Sequence, residues 1–359
     1  MERINVTKPF LPPQEEYLQY IQRIWDGGIL TNQGPLLKEL EVALEDYLKV
    51  KNFHFVTNGT LALQVALRSL GITSGEVITT PFSYVATTSS ILWEHCKPVF
   101  VDIEPNTFCI DADKIEASIT ENTKAILAVH VFGFPCDVEK IELIAKKHDL
   151  KVIYDAAHAF GVVYKGRSLL SYGDISTCSF HATKLFHTIE GGAIVVKDDS
   201  VNSNTDVIKR FGHEGDDHIM LGLNAKASEF QAAMGLTNLK HIDEILDKRK
   251  KICDLYDTLL KGVITIPSPK GDVGRNYAYY PVLFKDEKTT LAAIRVLNAN
   301  NIYPRRYFYP SLNKIDYING GSCKVSEDIA SRILCLPLYP DLSHENVKKI
   351  SELIKSICK

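Results

Sequence analysis

The sequence predicts an α/β fold: a mostly parallel sheet in the larger part of the chain, followed by a smaller α/β domain at the C-terminus. Two observations point there. From about residue 53 to 196, short β-branched or aromatic runs alternate with longer amphipathic stretches, the pattern of parallel strands joined by crossover helices. After about Asp243 the texture changes to a charged helix, a turn-rich stretch and one further strand. A length of 359 residues holds two domains at ~100–200 residues each. The expected division is an N-terminal segment 1–30, a large domain 31–243 and a small domain 244–359.

Taken in chain order, PFLPP brings three prolines into the N-terminal segment, which can pack on either domain or on a partner chain. Strands are expected at FHFV (53–56), EVIT (76–79), PVFV (98–101), KAILAVH (124–130), KVIY (151–154), STCSF (176–180) and GAIVV (192–196). Between the fourth and fifth, Val138, Ile141, Ile144 and Ala145 recur at helical spacing. Asp137 is placed to cap that helix, and Lys146, Lys147 and His148 occupy its last turn. In the C-terminal part, IPSPKGDVGRN reads as turns, YAYYPVLF as a strand, and Val347, Ile350, Leu353 and Ile354 share one face of a final helix.

Composition narrows the function classes. Apolar residues make up 45% and charged residues 24%, which are ordinary values for a folded globular chain. Forty-one Lys and Arg against 44 Asp and Glu leave a net charge of −3, so no global positive field favours nucleic acid or anionic lipid. No stretch approaches the ~18 unbroken apolar residues of a membrane span, and the N-terminus has no apolar run of signal-peptide length. The eight cysteines fall nowhere at zinc-knuckle or thioredoxin-like spacing. A reducing, cytoplasmic setting is expected.

Ligands of open parallel sheets bind beyond the carboxyl ends of the strands, and four such places carry chemistry. Thr57-Asn58-Gly59-Thr60 joins a strand to a helix whose first N–H groups suit a phosphate; the plainer alternative is that Thr60 merely caps that helix. No G-x-G-x-x-G or Walker-type loop is present, which removes the main support for dinucleotide or ATP binding. Asp155-Ala156-Ala157-His158, after KVIY, is compatible with a metal, with a heterocyclic nitrogen, or with a polar core. Lys184 lies in a loop between two strands, closely followed by Glu190-Gly191-Gly192; such a lysine is either a surface charge or, in an apolar pocket, a nucleophile for Schiff-base chemistry. In TPFSYVATT, after EVIT, Phe82 reads as core and Tyr84 as a platform for a flat ring.

Together these places supply what pyridoxal phosphate requires: an amine to hold its aldehyde, a carboxylate to keep its pyridine nitrogen protonated, and a helix N-terminus for its phosphate. The blocks TNGTLAL, TPFSYVATT, PVFVDIEPNTFCID, VIYDAAHAFGVVYKGR, GDISTCSFHATKLFHTIEGGAIV and NAKASEFQAAMGL also occur in this order. In that arrangement the chain resembles the DegT/DnrJ/EryC1/StrS family of sugar aminotransferases, from about Pro9 to LCLPLYPDLS.

The resemblance implies an aspartate-aminotransferase-like fold of the type I pyridoxal phosphate class. It implies that Lys184 carries the cofactor, that Asp155 faces the pyridine nitrogen, and that His158 lies against the ring near its phenolic oxygen. Tyr84 would stack on the ring, and Gly59, Thr60 and Ser179 would hold the phosphate. Asn224 would reach the cofactor phosphate of a neighbouring subunit, implying a homodimer with shared active sites. Lysine at position 184 argues against the family branch that carries histidine there and dehydrates. The implied reaction passes the amino group of L-glutamate to dTDP-4-keto-6-deoxy-D-glucose. A 3-keto nucleotide sugar as acceptor, or a binding protein without turnover, are the alternatives.

For the substrate, His181 beside the lysine loop and the basic residues Arg210, Lys226, Arg305 and Arg306 are candidates. The arginines and Lys226 would serve a diphosphate or the donor's carboxylate. Tyr309 belongs to the aromatic run next to Arg305 and Arg306, in a stretch that suits a ligand site between domains. His187, His213 and the other histidines show no ligand spacing, so no metal is expected.

Overall fold

A computed structural model describes residues 3–269, 271–318 and 320–358. Its centre is a seven-stranded sheet: β1 (Phe53–Val56), β2 (Glu76–Thr79), β3 (Lys97–Phe100), β4 (Thr123–Val129), β5 (Lys151–Asp155), β6 (Ile175–Ser179) and β7 (Gly192–Val196). Their spatial order is β1-β7-β6-β5-β4-β2-β3. Neighbours from β6 to β3 run parallel, while β7 is antiparallel to both β1 and β6. Each of the seven strands expected between residues 53 and 196 is found to within a residue at either end, whereas the strand expected at YAYYPVLF is shorter and covers only Tyr280–Leu283.

Both faces of the sheet are covered, and the alternation of side chains across a strand sorts them into two cores. Phe55, Ile78, Ile126, Tyr154, Cys178 and Ala193 face a layer containing Leu36, Leu40, Ile141 and Phe186. Val56, Val77, Leu127, Ile153 and Ile194 face the helix Gly59–Ser69, through Ala62, Leu63 and Ala66. The helix Val138–His148 forms where its periodicity places it. The Asp137 carboxylate accepts from the Lys140 N–H, three basic residues lie in the last turn, and Val138, Ile141, Ile144 and Ala145 are buried.

The C-terminal part has its own core. β8 (Tyr280–Leu283) pairs antiparallel with β9 (Ile333–Leu336), and the helices Ile242–Leu260, Glu287–Ala299 and His344–Cys358 enclose Tyr256, Phe284, Leu297 and Ile350. In the last helix Val347, Ile350 and Ile354 are buried, whereas Leu353 sits at the edge of the face. The N-terminal segment packs in both places. Ile4–Asn5 pairs with Ile302–Tyr303, and the helix Gln14–Gly27 carries Trp25 edge-on to Phe230, with 5.9 Å between ring centroids.

Several buried polar contacts fasten the C-terminal layer to the sheet. Asp102, just beyond β3, accepts from the Val325 and Ser326 N–H groups at 2.9 Å each, capping the helix Lys324–Arg332. The Leu312 N–H donates to the Pro81 carbonyl. Asn276 donates to the carbonyls of His158 at 2.8 Å and Phe160 at 3.0 Å. Within the C-terminal layer itself, Arg249, also buried, donates to the carbonyls of Tyr277 and Ala278 at 2.8 and 2.6 Å.

Candidate active site

A cleft of about 610 Å³ opens at the carboxyl ends of β5 and β6. Asp155 closes its floor because it is the last residue of β5, where the side chain leaves the sheet. It is buried, and burial pushes its pKa up; Thr87, the Ala157 N–H and the Lys184 charge oppose that rise. The Thr87 hydroxyl donates to Oδ2 at 2.7 Å, the Ala157 N–H donates to Oδ1 at 3.1 Å, and Ser83 in turn lies 2.7 Å from the Thr87 hydroxyl. These donors favour the anion inside a low-dielectric wall.

His158 follows on the turn after Asp155. Its Nδ1 accepts from the Phe132 N–H at 3.1 Å, which leaves the ring proton on Nε2. Burial, and then the nearby Lys184 charge, lower its pKa well below the ordinary value, so the imidazole is neutral. Its ring lies 4.5 Å from that of Tyr279 and 5.7 Å from that of Phe308.

Lys184 sits on the loop between β6 and β7, and its Nζ donates to the Tyr279 hydroxyl at 3.3 Å. Burial lowers the pKa of this amine, against the raising effect of Asp155. A larger fraction is therefore uncharged at neutral pH than for a surface lysine, as a nucleophile requires. Tyr279 itself is buried, which raises its phenol pKa and keeps it an O–H.

Opposite the lysine, the helix Gly59–Ser69 begins at the lip of the cleft. Asn58, not Thr60, is its cap: the Asn58 side chain accepts from the Leu61 N–H. Thr60 is thereby left in the first turn, lining the cleft beside Gly59 and Ser179. Gly59 is required by packing. A Cβ there would stand 2.9 Å from the Ser179 Cβ.

The cleft thus gathers Lys184, Asp155, His158, Gly59, Thr60, Tyr84, Ser179, His181 and Arg305. Tyr84 is an exposed ring at the start of the helix Val85–Trp93, and Phe82 is fully buried. Other expected residues lie elsewhere. Arg210 and Asn224 form a backbone bridge at the base of the hairpin that pairs His213–Glu214 with Asp217–His218. Lys226 lies over the Phe211 ring, 4.7 Å from its centroid. Arg306 is held by Glu287 at 2.8 Å and by the Ser331 carbonyl, and it stacks on the half-exposed Tyr309. Of the four basic candidates, Arg305 alone lines the cleft. Glu190, quoted with its glycines, and Tyr307 and Phe308, from the aromatic run, also line it; Tyr279, which lines it, and Thr87, which supports Asp155, were given no role in the sequence. Among the described residues, no group of three or more His, Cys, Asp or Glu side chains is placed to hold a metal, and no helix is long and apolar enough to cross a membrane.

A buried carboxylate with two hydrogen-bond donors, an amine of lowered pKa, and a helix N-terminus around one cleft fit pyridoxal phosphate. Residues 13–355 match the DegT/DnrJ/EryC1/StrS aminotransferase family. The chain belongs to this family. It is similar to dTDP-4-amino-4,6-dideoxy-D-glucose transaminase of Shigella dysenteriae, with 43% identity over 99% of each chain. It is also similar to GDP-perosamine synthase of Escherichia coli O157:H7, with 32% identity over 99% of this chain and 98% of the relative. The crystal structure of DesI in the presence of its TDP-sugar product superposes with a TM-score of 0.95 at 29% identity, covering 100% of this chain and 93% of that one. Family membership makes the chain a pyridoxal phosphate-dependent nucleotide-sugar aminotransferase, and its mostly parallel sheet is the sheet of that fold.

Proposed function

We propose that this enzyme transfers the amino group of L-glutamate to C4 of dTDP-4-keto-6-deoxy-D-glucose, giving dTDP-4-amino-4,6-dideoxy-D-glucose and 2-oxoglutarate. One observation carries the chemistry: an amine of lowered pKa, Lys184, shares a cleft with the buried, hydrogen-bonded carboxylate Asp155. Full-length similarity at 43% to a transaminase named for this product supports the choice of sugar.

Bound pyridoxal phosphate supplies an electron sink for the carbon that gives up or receives a proton. Lys184 would hold its aldehyde carbon and, as a free amine, would be the base and acid placed to take a proton from, or return one to, the reacting carbon of donor and acceptor. Asp155 would hold the pyridine nitrogen protonated, because a nearby anion raises that nitrogen's pKa. His158, with its proton on Nε2, offers a neutral donor to the ring's phenolic oxygen. Tyr84 covers the ring, while Gly59, Thr60 and Ser179 bind the phosphate at the helix N-terminus. Arg305, facing the cleft with no carboxylate partner among the described residues, binds the donor's carboxylate or the acceptor's diphosphate.

We also infer a homodimer. The hairpin that carries Arg210, Asn224 and Lys226 at its base exposes Phe211, Ile219 and Leu221, an apolar edge that a second copy would cover while Asn224 reaches the neighbouring phosphate. The eight unpaired cysteines suit a reducing compartment such as the cytoplasm. The decisive experiment incubates the cofactor-loaded enzyme with L-glutamate and dTDP-4-keto-6-deoxy-D-glucose and identifies the product by NMR. Amination at C4 is expected; amination at C3, or turnover only with a GDP- or UDP-linked sugar, overturns the choice of substrate. Bleaching of the visible cofactor band by glutamate alone tests the first half of the cycle separately.

A further inference from the structure

The loop between Lys184 and β7 delivers a second polar pair to the cleft. His181 and Glu190 both line it, with His181 Nε2 3.6 Å from Glu190 Oε1. The tautomer of His181 is fixed locally: its Nδ1 accepts from the Thr183 N–H at 3.2 Å and lies 2.8 Å from the Thr183 hydroxyl. The ring proton is therefore on Nε2, on the side of the carboxylate. A separation of 3.6 Å is too long for a good hydrogen bond, so a donor and an acceptor stand side by side without satisfying each other.

The position of Glu190 is built, not incidental. Its neighbour Ile189 has φ +70°, a left-handed conformation that a β-branched residue rarely adopts, and the segment around it is fastened on both sides. The Thr188 N–H donates to the Phe180 carbonyl at 2.9 Å, and the Phe180 N–H donates to the Gly191 carbonyl at 2.8 Å. The Glu190 carbonyl accepts from the Gln231 side chain at 2.7 Å and from the Thr188 hydroxyl at 2.8 Å. Asn238 holds the His187 carbonyl at 2.9 Å. Two of these bonds use the backbone carbonyl of Glu190 and none uses its side chain, which leaves the carboxylate to the cleft.

We propose that Glu190 and His181 together form a receptor for one ring hydroxyl of the acceptor sugar, making Glu190 a specificity-determining residue; this rests on the nucleotide-sugar reading above. A hydroxyl is both donor and acceptor. Placed about 2.8 Å from each atom, it completes a triangle on the 3.6 Å base, giving its proton to Glu190 and accepting from His181 Nε2. A carboxylate offers no proton to Glu190 and is repelled by it, so the pair favours the hexose over the dicarboxylic donor. A site made to bond a hydroxyl discriminates strongly against ligands that lack one.

The test uses apoprotein and calorimetry, with dTDP-D-glucose as a hydroxyl-bearing, non-reacting probe and dTDP as its control. The parent is expected to bind dTDP-D-glucose more tightly than dTDP. Glu190→Ala should shrink that ratio about tenfold, whereas Glu190→Gln, which keeps an acceptor oxygen, should retain most of it. Single-turnover saturation by the keto sugar in the loaded enzyme should show the same order of variants in the half-saturating concentration. If the parent ratio survives in Glu190→Ala, or if Glu190→Gln is as damaged as Glu190→Ala, the hydroxyl receptor is wrong and the nucleotide-sugar reading stands. If the parent binds neither ligand, both fall together.

Discussion

The cleft has two walls of different origin. The sheet wall, with Asp155, Ser179, Gly59, Thr60 and Lys184, comes from residues at strand ends, each within a few positions of a regular element. The C-terminal wall, with Tyr279, Arg305, Tyr307 and Phe308, belongs to a distant layer that Asn276 and Asp102 tie to the sheet domain. The first wall carries the groups proposed above to bind and drive the cofactor. In the proposed reaction the second adjusts the lysine and meets the substrate. Chemistry common to a family can thus be held by local structure, while selectivity is left to packing that other sequences can alter.

Substitutions in the two walls should therefore differ in size and in kind. Lys184→Ala is expected to lower kcat by about 1,000-fold or more and to abolish the visible cofactor band, seen by steady-state assay and absorbance; retention of a glutamate-responsive band would break the assignment. Asp155→Ala should reduce the half-reaction with glutamate by about 100-fold in a stopped-flow measurement, because the ring nitrogen loses its counter-charge. In the C-terminal wall, Arg305→Gln should raise KM for an anionic substrate about tenfold with a smaller change in kcat. Arg306→Gln should act on stability instead, since Glu287 and the Ser331 carbonyl already occupy that guanidinium. Equal KM effects at the two positions would erase the distinction between them. Asn276→Ala leaves the carbonyls of His158 and Phe160 without their donor and should cost about 2 kcal/mol in denaturant unfolding, with a several-fold loss of kcat as Tyr279 and His158 shift.

The smallest effect on activity is a pH effect on folding. Burial, then the Lys209 charge, hold His54 near pKa 4, below its ordinary 6.5. In the unfolded chain it binds a proton below about pH 6.5, while in the folded chain it resists doing so. Stability is therefore greatest above pH 6.5 and falls on acidification, by about 2 kcal/mol from this group between pH 7 and pH 5. His130, held near 3 by burial, adds a contribution of the same sign. Denaturant midpoints at the two pH values test this, and His54→Gln should flatten the dependence.

The seven strands were legible in the sequence because parallel strands buried on both faces are short, continuous apolar runs, and the sheet wall followed from inspecting their ends. What stayed hidden depended on distance or on orientation. Thr87 sits in a motif that draws attention to Tyr84, yet its hydroxyl serves Asp155, 68 residues away. Asn276 lies in a stretch whose Gly and Pro content reads only as turns, although its side chain is a buried tie between layers. Arg305 and Arg306 are adjacent in an extended segment, where successive side chains point to opposite sides. Which of them faced the cleft was decided by the register of that segment against Cys335. Glu190 was quoted with its glycines, but its aim depends on the unusual backbone of Ile189.

The polar ties between the C-terminal layer and the sheet also bear on traffic. Swinging that layer outward as one rigid flap would strip partners from Asn276 and Asp102 together, in surroundings where such groups are costly to leave bare. A bulky nucleotide sugar is then better admitted endwise through the rim, past Tyr84 and Arg305, and successive reactants would queue at one doorway.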